Sequence, residues 1–188
     1  MALLLIGLIT FLGLHLVPSL PELRSSLVRR LGGENAYRGA FAVLSIATLA
    51  LLVWGYAQAP FIAVWTPPLW TRHLALPLMA LAMIALVSAY LPGRIKQRLK
   101  HPMLVAIKIW ALAHLLANGD LASMLLFGGF LAYGVIDRIL AKRRGTAMPA
   151  LPARAARNDV IAVVAGLALY AVIVLWLHAL VIGVPVLS

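Results

Sequence analysis

Apolar runs of membrane-crossing length recur along this chain and leave it few folds to adopt. A helix rising about 1.5 Å per residue needs about 20 residues to cross about 30 Å of hydrocarbon. Residues 2–18, 40–58, 72–91, 102–118, 121–140 and 159–184 all come near that length. Lipid offers no partner to backbone N–H and C=O groups, so such runs fold as helices that satisfy their own hydrogen bonds. The expected fold is all-α: a polytopic membrane helix bundle of about six transmembrane helices, in a single domain spanning residues 1–188. Composition agrees, with 64% of residues hydrophobic and 11% charged, far from the soluble average. The first run lacks a basic n-region and a small-residue cleavage site, and reads as a retained helix rather than a signal peptide.

Charge is segregated. Arg24, Arg29, Arg30 and Arg38 lie between the first two runs, and Arg94, Lys96, Arg98 and Lys100 between the third and fourth. Arg138, Lys142, Arg143, Arg144, Arg154 and Arg157 surround the fifth connection, which brings the total to 14 of the 16 basic residues. The connections at 59–71 and 119–120 carry none. The positive-inside rule then places both termini outside the cytoplasm, N-out and C-out. The same scatter argues against nucleic acid as a partner, despite a net charge of +11, because a nucleic-acid footprint needs its cations on one folded face. The first basic connection should itself be helical. Ser19 and Glu22 have capping-box spacing, Pro21 suits a first turn and Gly32-Gly33 a stop. Leu20, Leu23, Leu27 and Leu31 share one face away from Arg24, Arg29 and Arg30, as in a short amphipathic helix on the inner leaflet. Residues 145–158, rich in Ala, Pro and Arg, read as a flexible loop.

The absence of cysteine excludes disulfides, thiolate-held zinc and iron–sulfur clusters. No internal repeat, P-loop, dinucleotide fingerprint or nucleophile elbow is present. Chemistry must come from side chains that are costly in lipid: His15, His73, His101, His114, His178, Lys108, Asp137 and Asp159. Counting along the helices, His114 lies roughly 18 Å from the inner end of its run and His15 roughly 20 Å from the outer end of its own. In antiparallel helices these depths differ by roughly 8 Å, within reach of two axial ligands of one tilted macrocycle. His101 and His114 are separated by roughly 20 Å and point to nearly opposite faces, so they cannot share a metal. His101 instead shares a face with Lys108 near the inner boundary, where the pair could hold a haem propionate; alternatively Lys108 snorkels to the interface or pairs with Asp137. Trp110, one turn before His114, could line the same cavity. His73 follows Arg72 at an outer helix end, and His178 lies in the outer half of the last run. Trp65 and Trp70 suit an interfacial belt.

Two segments carry a family resemblance. The run from Phe11 to Arg38, with His15, the basic amphipathic stretch and Gly32-Gly33-Glu34-Asn35-Ala36-Tyr37-Arg38, resembles the opening of NnrU family membrane proteins. Lys100-His101-Pro102 through Trp110, Ala113-His114 and Gly119 resembles their second signature. The resemblance implies a multi-pass protein of the bacterial inner membrane that supports nitrite and nitric oxide reduction in denitrification, with reductase components as partners. It also implies kinship with 15-cis-ζ-carotene isomerase, which uses b-type haem. There the histidines matching His15 and His114 are haem-ligand candidates, and those matching His73 and His101 occupy corresponding places. Where the isomerase has a cysteine just before the second histidine, this chain has Ala111, Leu112 and Ala113, which removes any thiolate step.

The expectation is a haem b site with His15 and His114 as axial ligands, Trp110, His101, Lys108 and His73 around it, and room for a hydrophobic small molecule. Whether the chain is itself an enzyme stays open between an isomerase and a redox protein. His101-Pro102 after a basic loop also resembles membrane methyltransferases that use S-adenosylmethionine, although the paired glutamates of those enzymes are missing. A non-enzymatic scaffold or maturation factor for a reductase complex is the other alternative. A transporter is disfavoured, since no two matching halves with broken helices occur and Gly128, Gly129 and Gly134 suit close helix packing.

Overall fold

A computed structural model describes residues 1–145 and 150–187. The described residues form α1 (Ala2–Leu16), a 3-10 turn (Val17–Ser19), α2 (Pro21–Arg30), α3 (Glu34–Ala57), α4 (Leu69–Ser88), α5 (Arg94–Leu99) and α6 (Pro102–Ala117). They continue with α7 (Leu121–Arg144), α8 (Ala155–Val172), a π-helical turn (Ile173–Leu177) and α9 (His178–Ile182). The protein is all-helical, with no strand among the described residues. Five stretches, Ala2–Ser19, Glu34–Ala57, Leu69–Ser88, Leu121–Arg144 and Ala155–Ile182, are long and apolar enough to cross a membrane. The remaining apolar run, α6, has 16 residues, about 24 Å of helix.

Several boundaries differ from the sequence expectation. Helix α3 starts at Glu34 rather than 40, because Gly32 and Gly33 take positive φ values of 86° and 127°. That left-handed turn, which favours glycine, lets Gly33 N donate to the Val28 carbonyl at 2.9 Å. It closes α2 and leaves the next residue free to begin a new helix. The capping box is absent: Leu20 is the N-cap of α2 without a side-chain bond, and the Ser19 hydroxyl donates instead to Asp137 Oδ1. Helix α7 runs on to Arg144 and ends on Gly145, again left-handed at φ 64°. Of the expected 145–158 loop, residues 146–149 lie outside the described residues, and α8 already begins at Ala155.

The chain contacts divide into two compact units. The first comprises Met1–Pro67 and the described part of Asn118–Thr146; in it α1 packs along α3 and against α7. Leu4, Leu8, Leu52 and Ala122 form its buried core, with Phe11, Leu12, Tyr56, Leu126 and Phe130 around them. Helices α1 and α3 approach closely because glycine faces backbone at two points: a Cβ on Gly7 would stand 2.6 Å from Leu52 Cα, and one on Gly55 2.6 Å from the Leu4 nitrogen. Without a hydrophobic effect between helices in lipid, such small-residue contact is what holds them together. Tyr56 and Ser123 hydroxyls bond across the unit at 2.8 Å. The start of α7 is pinned to the segment after α3, with Val64 N donating to the Gly119 carbonyl at 2.8 Å and Leu121 N to that of Ile62 at 2.8 Å.

The second unit comprises Pro68–Ala117 and the described part of Ala147–Ser188. Here α4 lies between α6 and α8, and small side chains occupy buried positions: Ala75, Ala82, Ala85 and Ser88 on α4, and Ala106, Ala111 and Ala113 on α6. Gly166 of α8 meets the backbone of Ile84. Asp159 caps α5, accepting from Ile95 N at 3.0 Å and Arg94 N at 3.2 Å.

Each unit has one basic end. In the first, the exit of α1, all of α2, the start of α3 and the end of α7 gather Arg24, Arg29, Arg30, Arg38, Arg138, Lys142, Arg143 and Arg144, with Glu22, Glu34 and Asp137. At its opposite end Asp120 is the only charged side chain among the described residues. In the second, Arg94, Lys96, Arg98, Lys100, Arg154 and Arg157 gather at the end of α4 and the starts of α6 and α8.

Candidate functional site

His15 sits in the last turn of α1, half-buried in the first unit. Its Nδ1 lies 2.8 Å from the Phe11 carbonyl. A carbonyl oxygen only accepts, so Nδ1 carries the proton and donates, and Nε2 holds the lone pair that can ligate a metal. The i−4 spacing makes the bond local to one helical turn, which fixes both tautomer and ring direction. Aromatic rings wall the imidazole: Phe11 at 4.2 Å between centroids, and Phe41 of α3 edge-on at 5.5 Å. Phe130 of α7 stands 5.9 Å from Phe11.

His114 repeats the arrangement in the second unit. It lies in the last turn of α6, and its Nδ1 donates to the Trp110 carbonyl at 2.9 Å, with the indole ring 5.2 Å away. Trp110 thus touches His114 as its one-turn spacing implies. Both rings donate Nδ1–H to a backbone carbonyl, the outer-shell bond common behind metal-ligating histidines. Among the described residues no group of three or more His, Cys, Asp or Glu side chains could hold a metal ion by itself.

The other expected residues are less convergent. His101 is half-buried just before α6, where its carbonyl accepts from Val105 N at 3.1 Å. Lys108 is half-buried on the same helix, about 10 Å further along the axis. His73 is exposed near the start of α4, in its second turn. His178 Nδ1 donates to the Val184 carbonyl at 2.6 Å and ties off the last helix.

A polar cluster at the basic end of the first unit escapes sequence reasoning. Glu34 binds both Arg24, at 2.5 Å, and Arg38, at 3.0 Å. The Arg24 guanidinium lies 5.2 Å from the centre of the Tyr37 ring, and Tyr37 in turn stands 6.1 Å from Phe41. The Arg38–Glu34 contact could have been read from its i,i+4 spacing. Those of Arg24 depend on how α2 folds back on α3.

Long apolar helices whose outward side chains are exposed and apolar, such as Val43, Ile46 and Val164 at 67%, 70% and 62% exposure, define a multi-pass membrane protein in a lipid bilayer. A family model described as "NnrU protein" matches residues 3–186. The chain therefore belongs to the NnrU family, as Phe11 to Arg38 and Lys100 to Gly119 suggest. No curated protein and no solved structure matches it.

Proposed function

We propose that this NnrU family protein binds b-type haem with His15 and His114 as axial ligands. In this reading it serves nitrite and nitric oxide reduction or the cis–trans isomerisation of a polyene in the bacterial inner membrane. The observation that carries the reading is the shared Nδ1–H bond to the carbonyl four residues earlier, which turns each Nε2 into a preset donor at no further cost in orientation. Haem so ligated would supply redox chemistry; the chain would supply the ligands and exclude water with Phe11, Phe41 and Trp110. His101, Lys108 and His73 are placed as surrounding rather than ligating residues. The basic ends are assigned to the cytoplasm, with α6 as a sixth crossing and both termini outside. Reductase components and a hydrophobic small molecule are the partners this reading admits.

The test is the oxidised and dithionite-reduced visible spectrum of the detergent-purified chain. A sharp b-type band, lost in His15→Ala and in His114→Ala, is the expected result. A colourless protein at full yield, or bands that survive both substitutions, would sink the haem reading and leave the scaffold role.

A further inference from the structure

Helix α2 is lightly covered by protein. None of its residues is buried, yet Leu20, Leu23 and Leu31 at its ends and along one side are 40%, 44% and 45% exposed. It joins two membrane-length stretches, Ala2–Ser19 and Glu34–Ala57, so it lies at a membrane face, and the occupant of its apolar side is lipid. Its charge says which lipid. Glu34 is shared between Arg24 and Arg38, while Arg29 and Arg30 are exposed in the last turn. Lys142, Arg143 and Arg144 close α7 at the same end of the unit, and the contact of Ser19 with Asp137 holds that end together. Counting side chains there, eight cations face three carboxylates, an excess of five that a zwitterionic headgroup does not match.

We infer that α2 is a binding surface for anionic phospholipid, with Leu20, Leu23 and Leu31 in the acyl boundary and Arg29 and Arg30 on the headgroup phosphates. The inference is independent of haem. Each arginine near an acidic surface contributes about fivefold in lipid affinity, so the pair contributes about thirtyfold.

Native mass spectrometry of the full chain, released from nanodiscs of equal parts phosphatidylglycerol and phosphatidylcholine, tests it. The expected result is retained lipid enriched in phosphatidylglycerol, with the enrichment falling at least tenfold in Arg29→Gln/Arg30→Gln and largely kept in Arg94→Gln/Arg98→Gln of the second unit. Both pairs are exposed, and the helical circular dichroism of each variant verifies folding. Retained lipid that mirrors the bulk mixture would overturn the inference. So would equal loss in the two variants, which would mean a diffuse surface potential, or a dimer mass that disappears in Arg29→Gln/Arg30→Gln, which would make a second copy the occupant.

Discussion

Replacing Gly55 by alanine is the sharpest test of how α1 and α3 are joined. The added Cβ would stand 2.6 Å from the Leu3 carbonyl carbon and the Leu4 nitrogen and 2.8 Å from the Leu3 oxygen. Ordinary contact begins near 3.4 Å, so the helices must part by about 0.8 Å, the difference between those distances. Backbone cannot rotate aside as a side chain can. The parting falls on a seam where Leu4, Leu8 and Leu52 are 0%, 6% and 3% exposed, and a gap of that order forfeits a quarter to a half of each dispersion contact it opens. Overpacking of this kind costs about 1–3 kcal/mol. Gly39, on the same helix, has nothing within 4 Å, and Gly39→Ala is the matched control. Thermal unfolding in detergent, followed by tryptophan fluorescence, should show Gly55→Ala melting well below wild type and Gly39→Ala at or above it. Gly7→Ala should behave like Gly55→Ala, since its Cβ meets Leu52 of the same seam. The double variant should lose less than the sum, because the first separation makes room for the second methyl. Equal melting of Gly55→Ala and Gly39→Ala would refute the close-contact account of the pair.

Other substitutions probe single contacts. Ser19→Ala leaves a partly buried carboxylate without its hydroxyl donor, at about 1–3 kcal/mol; a cycle with Asp137→Asn, read by the same melts, should show strong coupling between the two sites. Asp120 accepts from Ser123 N at 2.9 Å as the N-cap of α7, so Asp120→Ala should cost about 1 kcal/mol, and an unchanged melting midpoint would count against the cap. Asp159→Ala removes the acceptor of two α5 amides, and limited proteolysis should then cut within residues 92–99 faster than in wild type.

The long helices and the basic ends could be read directly, because lipid forces one secondary structure on an apolar run and charges cannot follow it in. The ligand candidates were legible for the same reason: His15 and His114 interrupt apolar helices, and Trp110 lies one turn from His114. What could not be read required distant partners. Ser19 looked like a cap because Glu22 follows three residues on; its actual acceptor, Asp137, is 118 residues away. Phe41 beside His15 and Tyr37 beneath Arg24 are likewise products of packing between helices, which spacing along one helix cannot reveal. The early start of α3 was only half legible: Gly32-Gly33 marks an ending but gives no distance to the next beginning.

The π turn at Ile173–Leu177 sets which way the last helix faces. A π turn accommodates one residue more than an α-helical turn, so the extra residue is taken up locally and the register on either side is kept. Excising any one of those five residues should restore unbroken α geometry and leave the residues beyond facing as they do now. His178 would then keep its neighbours, and the hydrophobic length of the span would stay nearly the same. A deletion elsewhere in the span would instead turn His178 by about 100°.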